Sequence, residues 1–231
     1  MKIFYWVLWC CLFGSNLNAQ FPPFTKWYEN PLGFEPLNLH TVNGIIVPAA
    51  VASAVLLLSK NNQANLQRLS WYEDLGVSFG YYGSKTTIYQ SNTGFLFVAR
   101  SFMSLGAEVS SYYTNDEVNH TWGFGLRPFV RFYPVKGERF KLFFQSGAGL
   151  MYFLEEYPQP SGFFGDNRMG TRLNGTPKYG IGSVFQLSPW LQGQAAFWHV
   201  HVSNGNHPSA ERNPGHDSNG FSLSLIYQKH K

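Results

Sequence analysis

From Trp71 onward the chain alternates apolar and polar residues with a period of two, in runs of about ten residues. Such alternation sends successive side chains to opposite faces of a strand. The clearest run is Thr121–Tyr133. Trp122, Phe124, Leu126, Val130 and Phe132 share one face, and Gly123, Gly125, Arg127, Arg131 and Tyr133 share the other. One face is apolar enough for lipid, while the other holds two guanidinium groups. In Leu105–Tyr113, Leu105, Ala107 and Val109 oppose Gly106, Glu108 and Ser110. Glu108 is therefore expected to meet an arginine inside a barrel, because a buried charge needs a partner. The remaining candidate strands are Tyr72–Tyr82, Thr87–Arg100, Lys141–Leu154, Lys178–Leu187, Leu191–Ser203 and Phe221–Tyr227. In the last, Phe221, Leu223, Leu225 and Tyr227 face away from Ser222, Ser224 and Ile226.

The pattern before Trp71 is different. Lys2, the apolar run Ile3–Phe13 and the polar stretch Gly14–Ala19 predict a secretory signal over residues 1–19, cleaved after Ala19. Residues 20–70 are expected to form an N-terminal arm, irregular over the proline-rich Gln20–Gly44. A short helix follows over Ile45–Leu58, weakly continued toward Leu69. That apolar segment contains Pro48 and is too short to span a bilayer as a helix. Residues 71–231 would then form the barrel. Both cysteines, Cys10 and Cys11, fall in the leader, so the exported chain is expected to lack disulfides, thiol catalysis and cysteine–metal sites.

Composition narrows the class. Charged residues are 13% of the chain, against 23 Gly, 21 Phe and 13 Tyr, a balance too aromatic for disorder and unusual for a soluble domain. The net charge of +4 is spread without long basic runs, so nucleic acid is not an expected partner. Eight alternating segments behind a leader predict an all-β chain. The expected fold is an eight-stranded antiparallel transmembrane β-barrel with a short N-terminal helical or irregular segment, in a Gram-negative outer membrane. A closed barrel satisfies every backbone donor within lipid. A soluble lipid-binding barrel also alternates, but it would leave the aromatic faces in water or overfill its core.

The candidate chemistry gathers near the C-terminus, in His201-Val202-Ser203-Asn204-Gly205 and Asn213-Pro214-Gly215-His216-Asp217. Strand spacing sets His201 beside Ser203, and a serine hydroxyl attacks an ester only when a neighbour takes its proton. Asn204 offers a side-chain amide and Gly205 an unhindered backbone N–H, the donor types of an oxyanion hole. Asn213-Pro214-Gly215 is a turn signal that would bring Asp217 back toward the strand end. His199 and His207 add imidazoles, but no third ligand follows at persuasive spacing, so no metal is expected. His199 reads as a polar residue at the membrane interface and His216 as a loop residue. Arg168 and Arg172, in the expected loop Gly162–Pro177, are candidates for meeting phosphate.

His201-x-Ser203-Asn204 followed by Asn213-x-x-x-Asp217, on the last two strands of an eight-stranded barrel, resembles the outer-membrane lipid A 3-O-deacylases (PagL). The resemblance implies a lipid A ester hydrolase with Ser203 as nucleophile, His201 as base and Asp217 as the acidic member. Asn204 and Gly205 would bind the oxyanion, Asn213 would support the site, and no cofactor would be needed. The family usually carries Glu where this chain has Asp217, and the intervening loop is longer here, so Glu211 is a second candidate for the acid. The implied partners are lipid A within lipopolysaccharide and outer-membrane lipid, with a homodimer allowed. A non-enzymatic structural or adhesive barrel is the competing reading.

Overall fold

The structure, a computed structural model, describes residues 50, 53–54, 69–80, 86–116, 118–159, 170–203 and 215–228. The expected leader and arm fall outside these residues except for Ala50, Ser53 and Ala54, which are helical, and Leu69 and Ser70, which begin the first strand.

The strands are β1 (Leu69–Gly80), β2 (Thr87–Arg100), β3 (Met103–Asn115), β4 (His120–Lys136), β5 (Phe140–Gly147), β6 (Leu150–Tyr157), β7 (Thr171–Gly175), β8 (Lys178–Ser188), β9 (Leu191–Val202) and β10 (His216–Gln228). The C-terminal half of β4 pairs with β5 and its N-terminal half with β6. In turn, β5 pairs with β8 and β6 with β7. Thus β5–β6 and β7–β8 are each one barrel strand with a break, and eight antiparallel strands result. Pairing of β1 with β10 closes the ring.

Two expected segments are corrected. Lys141–Leu154 is interrupted at Ala148–Gly149, and part of the expected loop Gly162–Pro177 is strand β7. Pro177 has no N–H for the ladder, and the chain shifts there so that Thr176 N donates to Gly149 O at 2.8 Å. The two breaks are thus side by side.

Inside, charge is matched by charge or amide. Glu108 accepts from Tyr72 and Arg127, as the alternation in β3 and β4 implied. Lys178 Nζ stands 3.6 Å from Glu108 and 3.7 Å from Asp74, and Arg131 is held by Gln145 and Gln194. Around this network pack Tyr72, Tyr112, Phe129, Phe143, Phe153 and Trp198, so side chains fill the lumen.

Outside, Trp71, Leu75, Leu126, Leu150, Ile181, Phe221 and Leu223 are all more than half exposed, on strands distributed around the ring. Soluble monomers rarely leave so large an apolar band in water. It is the lipid-facing wall of an outer-membrane barrel, and the soluble reading fails on it. Connections of two or three residues join β2 to β3, β4 to β5 and β8 to β9, all at one end. The opposite end carries the longer connections, matching the short periplasmic turns and long outer loops of such barrels.

Candidate active site

The site belongs to the long-loop end of the β9–β10 hairpin. In β9 the even-numbered residues Trp198, Val200 and Val202 enter the core, and burying each is worth about 1.5–3 kcal/mol. That anchors the strand's face assignment and turns His199, His201 and Ser203 outward. The register then sets Asp217 directly opposite His201 and Asn219 opposite His199, on the same outer face as Phe221. A slip of one residue would send all of them into the lumen.

The side chains form a continuous hydrogen-bonded chain. His201 Nε2 is 2.8 Å from Ser203 Oγ, and His201 Nδ1 is 2.8 Å from Asp217 Oδ1. A carboxylate only accepts, so His201 carries its proton on Nδ1 and presents Nε2 as the acceptor for the serine hydroxyl. This is the protonation that general-base activation of an alcohol requires. His201, Ser203 and Asp217 are each less than a tenth exposed although they sit on the exterior wall. With water largely removed, the carboxylate–imidazole attraction is strengthened.

Backbone contacts hold the end of β9 in place. Gly175 N donates to Ser203 O at 2.6 Å, Ser203 N returns to Gly175 O at 3.1 Å, and His201 N donates to Pro177 O at 3.0 Å. The break between β7 and β8 therefore grips the strand segment that carries the serine. On the other side is Gly215, with φ at +111°, a conformation that L side chains rarely adopt. A Cβ there would stand 2.4 Å from His201 Cε1 and 3.0 Å from Ser203 Cβ. Gly215 thus packs its backbone against the His–Ser pair.

The hairpin brings His201, Ser203 and Asp217 together as the spacing suggested. Asn204, Gly205, Asn213, Glu211, His207 and Arg168 lie outside the described residues. Arg172 is on β7, half exposed, with Nη2 3.7 Å from Glu155 Oε2. One reading is corrected: His216 is not in a loop but opens β10, fully buried in the lumen against Tyr157. His199, expected as a polar residue at the membrane interface, contacts Asp217 Oδ1 at 3.1 Å and Asn219 Oδ1 at 3.0 Å, with Tyr179 stacked on its ring. Sequence reasoning missed Gly215, Asn219 and Tyr179 as members of this neighbourhood. For Asn219 the available signal was its period-two spacing after Asp217.

Fold and site together define an outer-membrane barrel with a Ser–His–Asp hydrogen-bonded chain on its lipid-facing wall. The family model described as lipid A 3-O-deacylase (PagL) matches residues 66–225, and the chain belongs to that family. No curated protein sequence matches the chain. Among solved structures, the outer membrane enzyme PagL is similar at 17% identity, covering 68% of this chain and 99% of that one, with a TM-score of 0.47. Neisserial surface protein A is similar at 7% identity, covering 70% of this chain and 96% of that one, with a TM-score of 0.50. The N-terminal barrel domain of Pseudomonas aeruginosa OprF is similar at 10% identity, covering 69% of this chain and 96% of that one, with a TM-score of 0.43. At such identities, likeness to solved structures speaks to fold alone.

Proposed function

We propose that the protein is a lipid A deacylase that hydrolyses an ester-linked acyl chain, at the 3-O position, through an acyl-serine. The observation that carries this reading is the Ser203–His201–Asp217 chain on the lipid side of a barrel belonging to the deacylase family. A nucleophile on the outer wall meets molecules dissolved in the surrounding leaflet. Lipid A presents its acyl esters near the headgroup boundary, the depth at which a strand end such as Ser203 belongs.

In the proposed reaction His201 Nε2 takes the Ser203 proton as Oγ attacks the ester carbonyl, and Asp217 stabilises the imidazolium that forms. The Asn204 side-chain amide and the Gly205 N–H are assigned to the tetrahedral oxyanion, with Asn213 as support. Collapse breaks the bond to the sugar oxygen, which leaves with the proton from His201. Water, deprotonated by the same imidazole, then attacks the acyl-serine, releasing a fatty acid and restoring Ser203. In this scheme the protein supplies every group, side chains and the Gly205 backbone N–H, and no cofactor takes part.

The test is mass spectrometry of lipid A from cells expressing wild-type or Ser203→Ala protein. Loss of one acyl chain with wild-type only is the expected result. Identical profiles for wild-type, Ser203→Ala and empty-vector cells would sink the enzyme reading and leave a non-enzymatic barrel.

A further inference from the structure

Asp217 receives two histidines, and the proposed reaction uses only one. His201 Nδ1 and His199 Nε2 approach the same oxygen, Asp217 Oδ1, at 2.8 and 3.1 Å. We propose that His199 is a positioning residue, which holds the carboxylate on His201. This rests on the deacylase reading of the site.

His199 is fixed on three sides. Tyr179, opposite it on β8, stacks on the ring with centroids 4.7 Å apart and planes 29° from parallel. Asn219, opposite it on β10, places its amide oxygen Oδ1 3.0 Å from the second ring nitrogen, Nδ1. On the third side is Asp217 itself, diagonal to His199 across the β9–β10 ladder. A neutral imidazole has one N–H. With that proton on Nε2 it donates to Asp217, and Nδ1, which faces Asn219 Oδ1, is left as an acceptor. The proposed arrangement therefore has the Asn219 amide turned end for end, an exchange that keeps its shape and gives Nδ1 an N–H to accept. Asn219 then favours the tautomer that supplies Asp217 with its second donor.

The consequence is geometric and electrostatic. An aspartate side chain has two rotatable bonds, and each donor on its oxygens narrows the arc through which it can swing. A donor on the same oxygen that His201 uses, from a ring locked by stacking, narrows that arc about the His201 contact. The negative charge then stays beside His201 Nδ1 as the imidazole takes the serine proton. A positioning residue of this kind acts on the chemical step and leaves substrate affinity alone.

Two substitutions separate this role from simple packing. His199→Phe keeps a ring for Tyr179 and removes the donor. His199→Gln loses the ring but carries an amide nitrogen at nearly the reach of Nε2. Each variant is purified in detergent, checked for folding by its heat-dependent gel shift, and assayed twice. One assay follows the rate of Ser203 labelling by a fluorophosphonate, and the other the kcat and KM of lipid A deacylation in mixed micelles. His199→Phe is expected to lower both the labelling rate and kcat by about tenfold or more, with KM within about twofold. His199→Gln is expected to recover most of that loss, and His199→Leu serves as a second donor-free variant. A Phe or Leu variant that labels and turns over like wild-type overturns the proposal. So does a Gln variant as impaired as Phe, because the donor would then make no difference. Wild-type protein that labels at Ser203 but leaves lipid A intact removes the substrate assignment, and the His199 comparison is then decided by labelling. Wild-type protein that does neither refutes both.

Discussion

Replacing Gly215 by alanine tests whether the site depends on a backbone approach that only glycine allows. The added Cβ would come 2.4 Å from His201 Cε1 and 2.8 Å from Nε2, where real contacts essentially never fall below 3.0 Å. The imidazole or the start of β10 must therefore yield by about 0.6 Å, a shift comparable with the misplacements that cost enzymes up to 10²-fold. The ring is hydrogen-bonded at both nitrogens, so movement breaks the contact to Ser203 or the one to Asp217. Alanine at φ +111° adds a backbone cost of about 1–2 kcal/mol. Gly215→Ala is accordingly expected to insert and fold with a modestly lowered midpoint in urea, while kcat and Ser203 labelling fall about 10- to 100-fold. Gly193→Ala is the control. It lies at the other end of β9, where a Cβ meets the flexible Leu187 side chain at 3.2 Å and the Phe185 ring at 3.7 Å, and should leave activity unchanged. A folded Gly215→Ala protein with wild-type labelling and turnover would refute the reasoning.

Other outcomes follow from the same geometry. Asp217→Asn should keep the hairpin register yet lower kcat by about 10³–10⁴-fold, because an amide can donate to Nδ1 and stabilise the wrong tautomer. Steady-state turnover beside wild-type checks it, and near-normal turnover would shift the acid role to Glu211. Arg127→Met leaves Glu108 buried with a weakened set of partners and should destabilise the barrel by about 3 kcal/mol in urea titrations from vesicles. Leu223→Arg places a guanidinium on the lipid wall and should cost about 2–4 kcal/mol in the same titration, with a negligible change marking the surface as not lipid-facing.

The alternation made most of the barrel legible because the two solvents, lipid outside and a polar packed lumen inside, demand opposite residues at successive positions. Arg127 and Leu126 are neighbours in sequence and face opposite environments, which is why β4 read so clearly. Legibility failed where backbone rather than side chains decides. Strand β7 has only five residues, between Gly170 and Thr176-Pro177, and its existence depends on pairing with β6 rather than on any alternation of its own. The same divide runs through the site. His201 and Ser203 are neighbours along one strand, so spacing alone found them. His199 acquires a partner only through the β9–β10 register, and Tyr179 reaches it from a third strand. Gly215 looked like ordinary turn chemistry because nothing local tells that an imidazole sits where its Cβ would be.

The outward direction of Ser203 has a kinetic consequence. The wall of a barrel meets its substrate by lateral diffusion in two dimensions, so the relevant concentration is a mole fraction in the membrane plane rather than a molarity. Under the proposed function, dilution with inert lipid or detergent at constant total lipid A should slow the reaction. Adding buffer at a fixed lipid-to-detergent ratio should leave the rate per enzyme unchanged. Turnover in the cell would then follow how crowded the leaflet around the β9–β10 wall is with acylated sugar.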